Sequence, residues 1–425
     1  MSTSSGLKLI LVLNALAAYA LGPIPIPWLA TLSAIAVCVL LFATSSIRLP
    51  PGTAWVLIFS VWALGVTLGN LALSDPLNLP ERATTGYSTY VTLRFVQILS
   101  FLCLLPIIHK AMAREDERIL EFVIQLGVVV SLFSIYVYLA QTMGFWEPPR
   151  TRMGTSGEAQ ATRFTYAFHR AMGSFREPSH LAEWLVLPCF LSLANWSKLG
   201  WVGPARSILM FGVMALTGSL TGFGALGVGL VAAWVLTMNG TLRSVFRPMK
   251  LVLPIILALG IFAVFKSGTG GASLIGTVVD RALPMLEEGG MKSSNRNYIY
   301  EYLERSPPRF WGRGVGNANL EFSAYAGSSA TASFLSLYLN TLYATGAPGF
   351  AIMLGLLLTP IVLAILYGRK RDHPALFYLL AAYTGWLLVF GVHAEELSLS
   401  FALVYGLLTY VSLPQSTAQL IGRST

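Results

Sequence analysis

Residues 119–143 read ILEFVIQLGVVVSLFSIYVYLAQTM, and Glu121 is the one charged side chain among them. A helix needs about 20 apolar residues to cross the hydrocarbon core of a bilayer, and this run supplies them. Apolar runs of this kind recur from one end of the chain to the other. Composition agrees: 55% of the 425 residues are hydrophobic and 11% are charged, with a mean hydropathy of +0.66, whereas soluble domains carry about 25% charged residues. A backbone in lipid must satisfy its own hydrogen bonds, which leaves helices or closed barrels. The ten-residue alternating segments of a barrel are absent. The chain therefore reads as an all-α integral membrane protein.

Working outward from 119–143, the apolar runs divide into about twelve transmembrane helices: 7–22, 27–45, 53–73, 90–108, 119–143, 179–196, 204–217, 222–238, 251–266, 347–367, 374–392 and 397–413. The first run follows Lys8 and carries Ala-x-Ala triplets like those of a cleavable signal; it is read as a retained span. A turn at Thr217–Gly222 separates the seventh and eighth spans, and a partly embedded helix at 332–345 leads into the tenth. The short loops holding Lys110, Arg114 and Arg118, then Arg243, Arg247 and Lys250, then Arg369, Lys370 and Arg371 all fall inside when the N-terminus is cytoplasmic, as the positive-inside rule expects. The whole chain, 1–425, is then one polytopic membrane domain. Its long loops, 144–178 and 267–346, face outward together with the turns at 217–222 and 393–396 and form the active-site face.

Several function classes drop out. Cys38, Cys103 and Cys189 each lie inside an apolar run and have no metal-ligand spacing, so they read as packing residues. The net charge of +9 is explained by basic loops flanking the spans, and no nucleic-acid partner is implied. The Gly268–Ser273 stretch lacks the lysine of a phosphate loop.

The outer face is rich in cations: Arg82, Arg150, Arg152, Arg163, Arg170, Arg176, Lys266, Arg281, Lys292, Arg296, Arg305, Arg309 and Arg313. All but two are arginines, the side chain suited to planar, bidentate contact with phosphate. Residues 170–183, RAMGSFREPSHLAE, hold the densest cluster. Pro178 suits the first turn of a helix. Arg170, Arg176, Glu177 and His180 then crowd one helix N-terminus, where the dipole favours anions and a carboxylate can serve as general base. The alternative is a helix cap with a local ion pair. His393, Glu395 and Glu396, on the last outward turn, line the same cavity or form a solvated turn. Arg94, inside the fourth span, either snorkels outward or meets a lipid phosphate.

GSFREPSHLA, residues 173–182, resembles the GxFxEPSxxA motif of the bacterial O-antigen polymerase and ligase superfamily (Wzy/WaaL-like), in its exopolysaccharide branch. LTGSLTGFGALG, 216–227, is similar to the family's LTxSxTGxxxL turn. In SSNRNYIYEYLERSPPRFWGRGVGNAN, 293–319, Arg296 matches the loop arginine, and Gly312, Gly314 and Gly316 match the glycines. LSLYLNTLYATGAPGF, 335–350, resembles the closing segment. There are two departures: in the 216–227 turn the ligase arginine falls at Leu220, and in the closing segment the ligase histidine falls at Leu335, with Ser336 in the asparagine place. Both point to the polymerase branch.

The resemblance, which covers about residues 165–350, implies a metal-independent glycosyltransferase of the bacterial inner membrane with its active site facing the periplasm. No cofactor is expected. The partners it implies are undecaprenyl-pyrophosphate-linked glycans and the lipid bilayer, with room for a chain-length regulator. The growing glycan moves from one undecaprenyl pyrophosphate to a repeat unit on another. Arg170, Arg176 and Arg296 would bind the pyrophosphate, stabilising charge as it develops on the leaving group. Glu177, or else His180, would take the acceptor proton. The absence of an Asp-x-Asp pair from the outer loops agrees with metal independence. Competing readings are an O-antigen ligase, which transfers glycan to lipid A-core, and a transporter or flippase of lipid-linked oligosaccharide.

Overall fold

The structure, a computed structural model, describes residues 2–44, 49–73, 86–151, 170–196, 200–237, 297–326, 332–368 and 373–414. The expected span at 251–266, along with Arg296, lies outside them. The described chain is mostly helical: α1 Thr3–Ala15, α2 Ile26–Thr44, α3 Thr53–Leu73, α4 Tyr87–Met143, α5 Pro178–Ala194, α6 Val202–Leu216, α7 Leu220–Thr237, α8 Asn297–Arg305, α9 Asn317–Tyr325, α10 Leu337–Leu363, α11 Leu376–Val392 and α12 Leu399–Ser412. Among the described residues, four stretches can cross a membrane by length and composition: Ile26–Thr44, Thr53–Leu71, Tyr87–Met143 and Leu337–Gly368. Their windows bury between 22% and 39% of their residues, so most of their apolar side chains face outward. Val39, Val61 and Val129 on α2, α3 and α4 are all exposed. Apolar surface on this scale belongs in lipid.

The first apolar run departs from expectation. It was read as one span over 7–22, but α1 stops at Ala15, and the chain turns into a short hairpin pairing Ala20–Leu21 with Ile24–Pro25. The cause lies far along the sequence. Ser174 Oγ donates to Ala15 O at 2.6 Å, and Ala18 N donates to Ser174 O at 2.8 Å. Together they occupy groups that a continuing helix would have paired itself.

A second difference concerns the loop between the fourth and fifth spans. It is helical, and α4 runs on through Lys110, Arg114 and Arg118, breaking at Glu115 alone (φ −147°, ψ 50°). Charged contacts gather around this bend: Lys8–Glu115 and His373–Asp116, each at 3.9 Å, with Arg206–Glu121 close by. These residues mark one end of the bundle. At its centre, α4, α11 and α12 pack Phe101, Tyr383, Trp386, Phe390, Phe401 and Tyr405 into one aromatic core.

α10 is the element that shapes the other end. It is broken at Gly346 (φ 70°, ψ −174°), as expected of a short helix feeding a span. A break in a helix orphans carbonyls, and here each has a donor. Arg313 N reaches Tyr343 O at 3.0 Å, Gly314 N reaches Ala344 O at 2.8 Å, and Trp62 Nε1 reaches Thr345 O at 2.8 Å. Gly312 at φ 81° and Gly346 are both required there. A Cβ on Gly346 would lie 2.0 Å from Phe310 O, and one on Gly312 would lie 2.5 Å from Ala344 O. Beside this junction, Tyr302, Phe322, Phe334 and Tyr343 form a second aromatic cluster, with Tyr302–Phe322 at 4.8 Å and Phe334–Tyr343 at 4.9 Å. Arg313, buried, is paired with Glu321 and donates to Tyr302 Oη and Ser306 Oγ, both at 2.7 Å. Burial pushes the Tyr302 phenol up in pKa and keeps it neutral.

Candidate functional site at the 393–398 turn

Two polar clusters meet on the turn between α11 and α12. The turn is held at both ends: His393 N bonds to Val389 O at 2.9 Å, and Ser398 caps α12 by accepting from Phe401 N at 3.1 Å. His393 faces one way, toward α5. Glu395 and Glu396 face the other way, toward α4, α9 and α10.

The α5 side is built on residues 170–177. Buried Arg150 donates to Phe175 O at 2.6 Å and to Gly173 O at 2.9 Å. Ala171 N reaches Leu216 O at 2.9 Å, and Arg170 Nε reaches Thr217 O at 2.6 Å. Gly173 takes φ 50°, where a Cβ would lie 2.0 Å from Ser134 Oγ. These bonds fix the entry to α5. Glu177 is its N-cap residue, with no capping bond from its side chain, and Pro178 fills the first helical position, as the sequence predicts. One turn on, His180 packs edge-on against His393, ring centres 5.1 Å apart. Glu183, 7% exposed, lies against Nδ1 of His393. Arg176 is close enough for its charge to act on His180.

The other side is a narrow cleft with about 50 Å³ of room. Arg94, Gln97, Asn319, Asn340, Glu395 and Glu396 line it. Arg94 is paired with Glu396 and lies 3.7 Å from Glu395. Its guanidinium also donates to Tyr90 Oη at 3.0 Å. Glu395 Oε2 accepts from Ser333 Oγ at 2.7 Å, from Phe334 N at 3.0 Å and from Asn319 Nδ2 at 3.4 Å. Asn340 Nδ2 donates to the Glu395 carbonyl at 3.0 Å. Leu335, at φ 52°, is the one non-glycine among the described residues in the left-handed region. Such a conformation costs about 1–2 kcal/mol and persists only where its surroundings impose it. The bonds from Glu395 to Ser333 and Phe334 impose it here.

Of the residues expected at the site, Arg176, Glu177 and His180 come together. Arg170 lies at the far end of the same segment, with Nε turned to a helix-end carbonyl. Arg296 is outside the described residues. Glu183 is a functional candidate that the motif does not single out; an acid three residues after His180 lies on the same face of a helix. His393, Glu395 and Glu396 do not form a solvated turn: all three are half-buried and in contact with charged partners. Arg94 has a protein partner that lies some 300 residues away. Compared with known proteins, the chain matches no family model and no curated protein.

Proposed function

We propose that this chain is a membrane glycan polymerase. It would move a growing glycan from undecaprenyl pyrophosphate to a lipid-linked repeat unit, with the 393–398 end of about twelve spans facing the periplasm of the bacterial inner membrane. One observation carries the reading: the four motif segments named in the sequence touch one another or the same turn. Segment 170–183 meets 216–227 through Arg170 and Thr217, and it meets the turn through Glu183 and His393. Segment 293–319 meets 335–350 through Gly314 and Ala344, and both reach Glu395 through Asn319 and Asn340. The pairing of charges adds support: residues expected inside contact one another at the Glu115 end, and those expected outside do so at the turn.

In this reading Arg176, at a helix N-terminus, stabilises charge on the departing pyrophosphate. Arg170 and Arg296 are its proposed partners. Glu177, with His180 as the alternative, removes the proton from the acceptor hydroxyl. The ligase reading is weaker, because Leu335 occupies the place of its histidine. A flippase or transporter is the second reading, favoured by a paired arginine within a spanning helix and by a helix broken at Gly346.

The test is synthesis from purified undecaprenyl-linked repeat units. Arg176→Ala and Glu177→Gln should each lower extension at least about 100-fold while the protein still inserts and folds. Full-length product from either variant removes that residue from the mechanism. Flux of the lipid-linked substrate without any extension would favour the transporter.

A further inference from the structure

We propose that Glu177, His180 and His393 bind one divalent transition-metal ion of the zinc type. Glu177 and His180 open α5, and His393 closes α11, more than 200 residues later. One ligand atom from each lies within 4.8 Å of the other two, and the two imidazoles stand at 76° to each other. Two imidazoles and a carboxylate are the donor set of a zinc site that keeps a fourth position open. Bonds of about 2.0–2.2 Å put tetrahedral donors about 3.4 Å apart. Closing the cluster around an ion brings the ligand atoms of any pair nearer by no more than about 1.4 Å; the Glu177 carboxylate accepts from Ser179 Oγ at 3.5 Å and does not cap its helix.

Glu183 supplies an independent observation. A ligating histidine nearly always gives its other ring N–H to a carboxylate or carbonyl, which fixes the tautomer and orients the ring. Nδ1 of His393 sits against Oε1 of the nearly buried Glu183, an oxygen with no hydrogen-bond partner; a proton on Nδ1 would supply that partner and put the lone pair on Nε2. Charge fits as well. With both imidazoles neutral, Glu177 and Glu183 outweigh Arg176, so the cluster is net negative and a dication finds a favourable site.

This site departs from the metal independence that the resemblance implies, and the lack of an Asp-x-Asp pair does not count against it. Such pairs hold hard ions such as magnesium, whereas imidazoles suit zinc. With an ion bound, the open position would take a water and lower its pKa to about 7; the role of base given above to Glu177 would then pass to that water, with Glu177 as a ligand. Metal binding itself does not rest on the polymerase reading.

The test uses the full chain, purified in detergent and stripped with a chelator. Titration with Co²⁺ and, separately, with Zn²⁺ should give one equivalent of each, and Co²⁺ should show the visible absorption of a four- or five-coordinate ion. His180→Ala and His393→Ala should abolish both signals. Glu183→Gln, close in shape, should weaken Zn²⁺ binding about 10–100-fold, with thermal unfolding confirming that it remains folded. If the alanine variants do not fold, Glu183→Gln and Glu177→Gln still decide the matter through affinity and the Co²⁺ spectrum. Binding of much less than one equivalent by the unaltered chain, or unchanged affinity in every folded variant, overturns the site. Stoichiometric zinc without glycan extension would keep the site and remove the polymerase. Extension that survives the chelator, with no metal bound, would do the reverse.

Discussion

The two faces of the 393–398 turn solve one problem with different chemistry. Toward α4, Arg94 faces Glu395 and Glu396, held by an ion pair and by three donors on a single carboxylate oxygen. Toward α5, Glu177 and Glu183 face His180 and His393, two carboxylates beside two imidazoles. The first face is suited to holding the α9–α10 region in place. The second gathers the side-chain types that serve proton transfer and metal binding, and the proposed chemistry is placed on the α5 side on that ground.

Breaking the α4 face should have the largest effect. Arg94→Ala leaves two carboxylates beside a cleft with no cation; the Arg94 side chain is 17% exposed and that of Glu395 13%. Removing one partner of a buried pair costs about 3–5 kcal/mol; the Glu396 partner is 30% exposed, so the cost here lies toward the lower end. The expected outcome is a large drop in the thermal unfolding midpoint in micelles, partly restored by adding Glu396→Gln. An unchanged midpoint would mean that the pair carries no structural load, and the contrast between the faces would collapse.

His393→Ala probes the other face. It leaves the nearly buried Glu183 without its imidazole, a loss of about 1–3 kcal/mol for an unsatisfied polar group. The midpoint should fall less than for Arg94→Ala, and Glu183→Gln in the same chain should recover part of the loss. A fall as large as that of Arg94→Ala would show that both faces are structural.

These effects also mark what the sequence made legible. Helices at Ile26–Thr44, Thr53–Leu73 and Leu399–Ser412 follow from apolar runs, because lipid demands the same simple pattern everywhere. The start of α5 was legible because Pro178 and Glu177 act locally. The early end of α1 was not: the serine that terminates it, Ser174, is 159 residues away. Nor was the partnership of Arg94 with Glu396, since two charges that each look anomalous alone become ordinary only when the fold joins them. The break at Gly346 was visible as a change of character in the sequence, but not the backbone of Arg313 and Gly314 that satisfies it.

Arg170→Lys carries the smallest expected effect and the sharpest division. Arg170 was expected to bind pyrophosphate, yet its Nε donates to Thr217 O at 2.6 Å, just past the end of α6. A cation at a helix C-terminus is favourable, and one hydrogen bond contributes about 1 kcal/mol net. Lysine keeps the charge and loses the fixed fork of donors. If the residue only closes α6, the unfolding midpoint falls slightly and extension per folded molecule is unchanged. If its remaining nitrogens also grip a diphosphate, extension falls tenfold or more while the midpoint hardly moves, because bidentate geometry is lost on the ligand rather than in the fold. The second result would carry the reactive face past His180 and Arg176 to the far end of the 170–177 segment. The first would confine it to the α5 entrance.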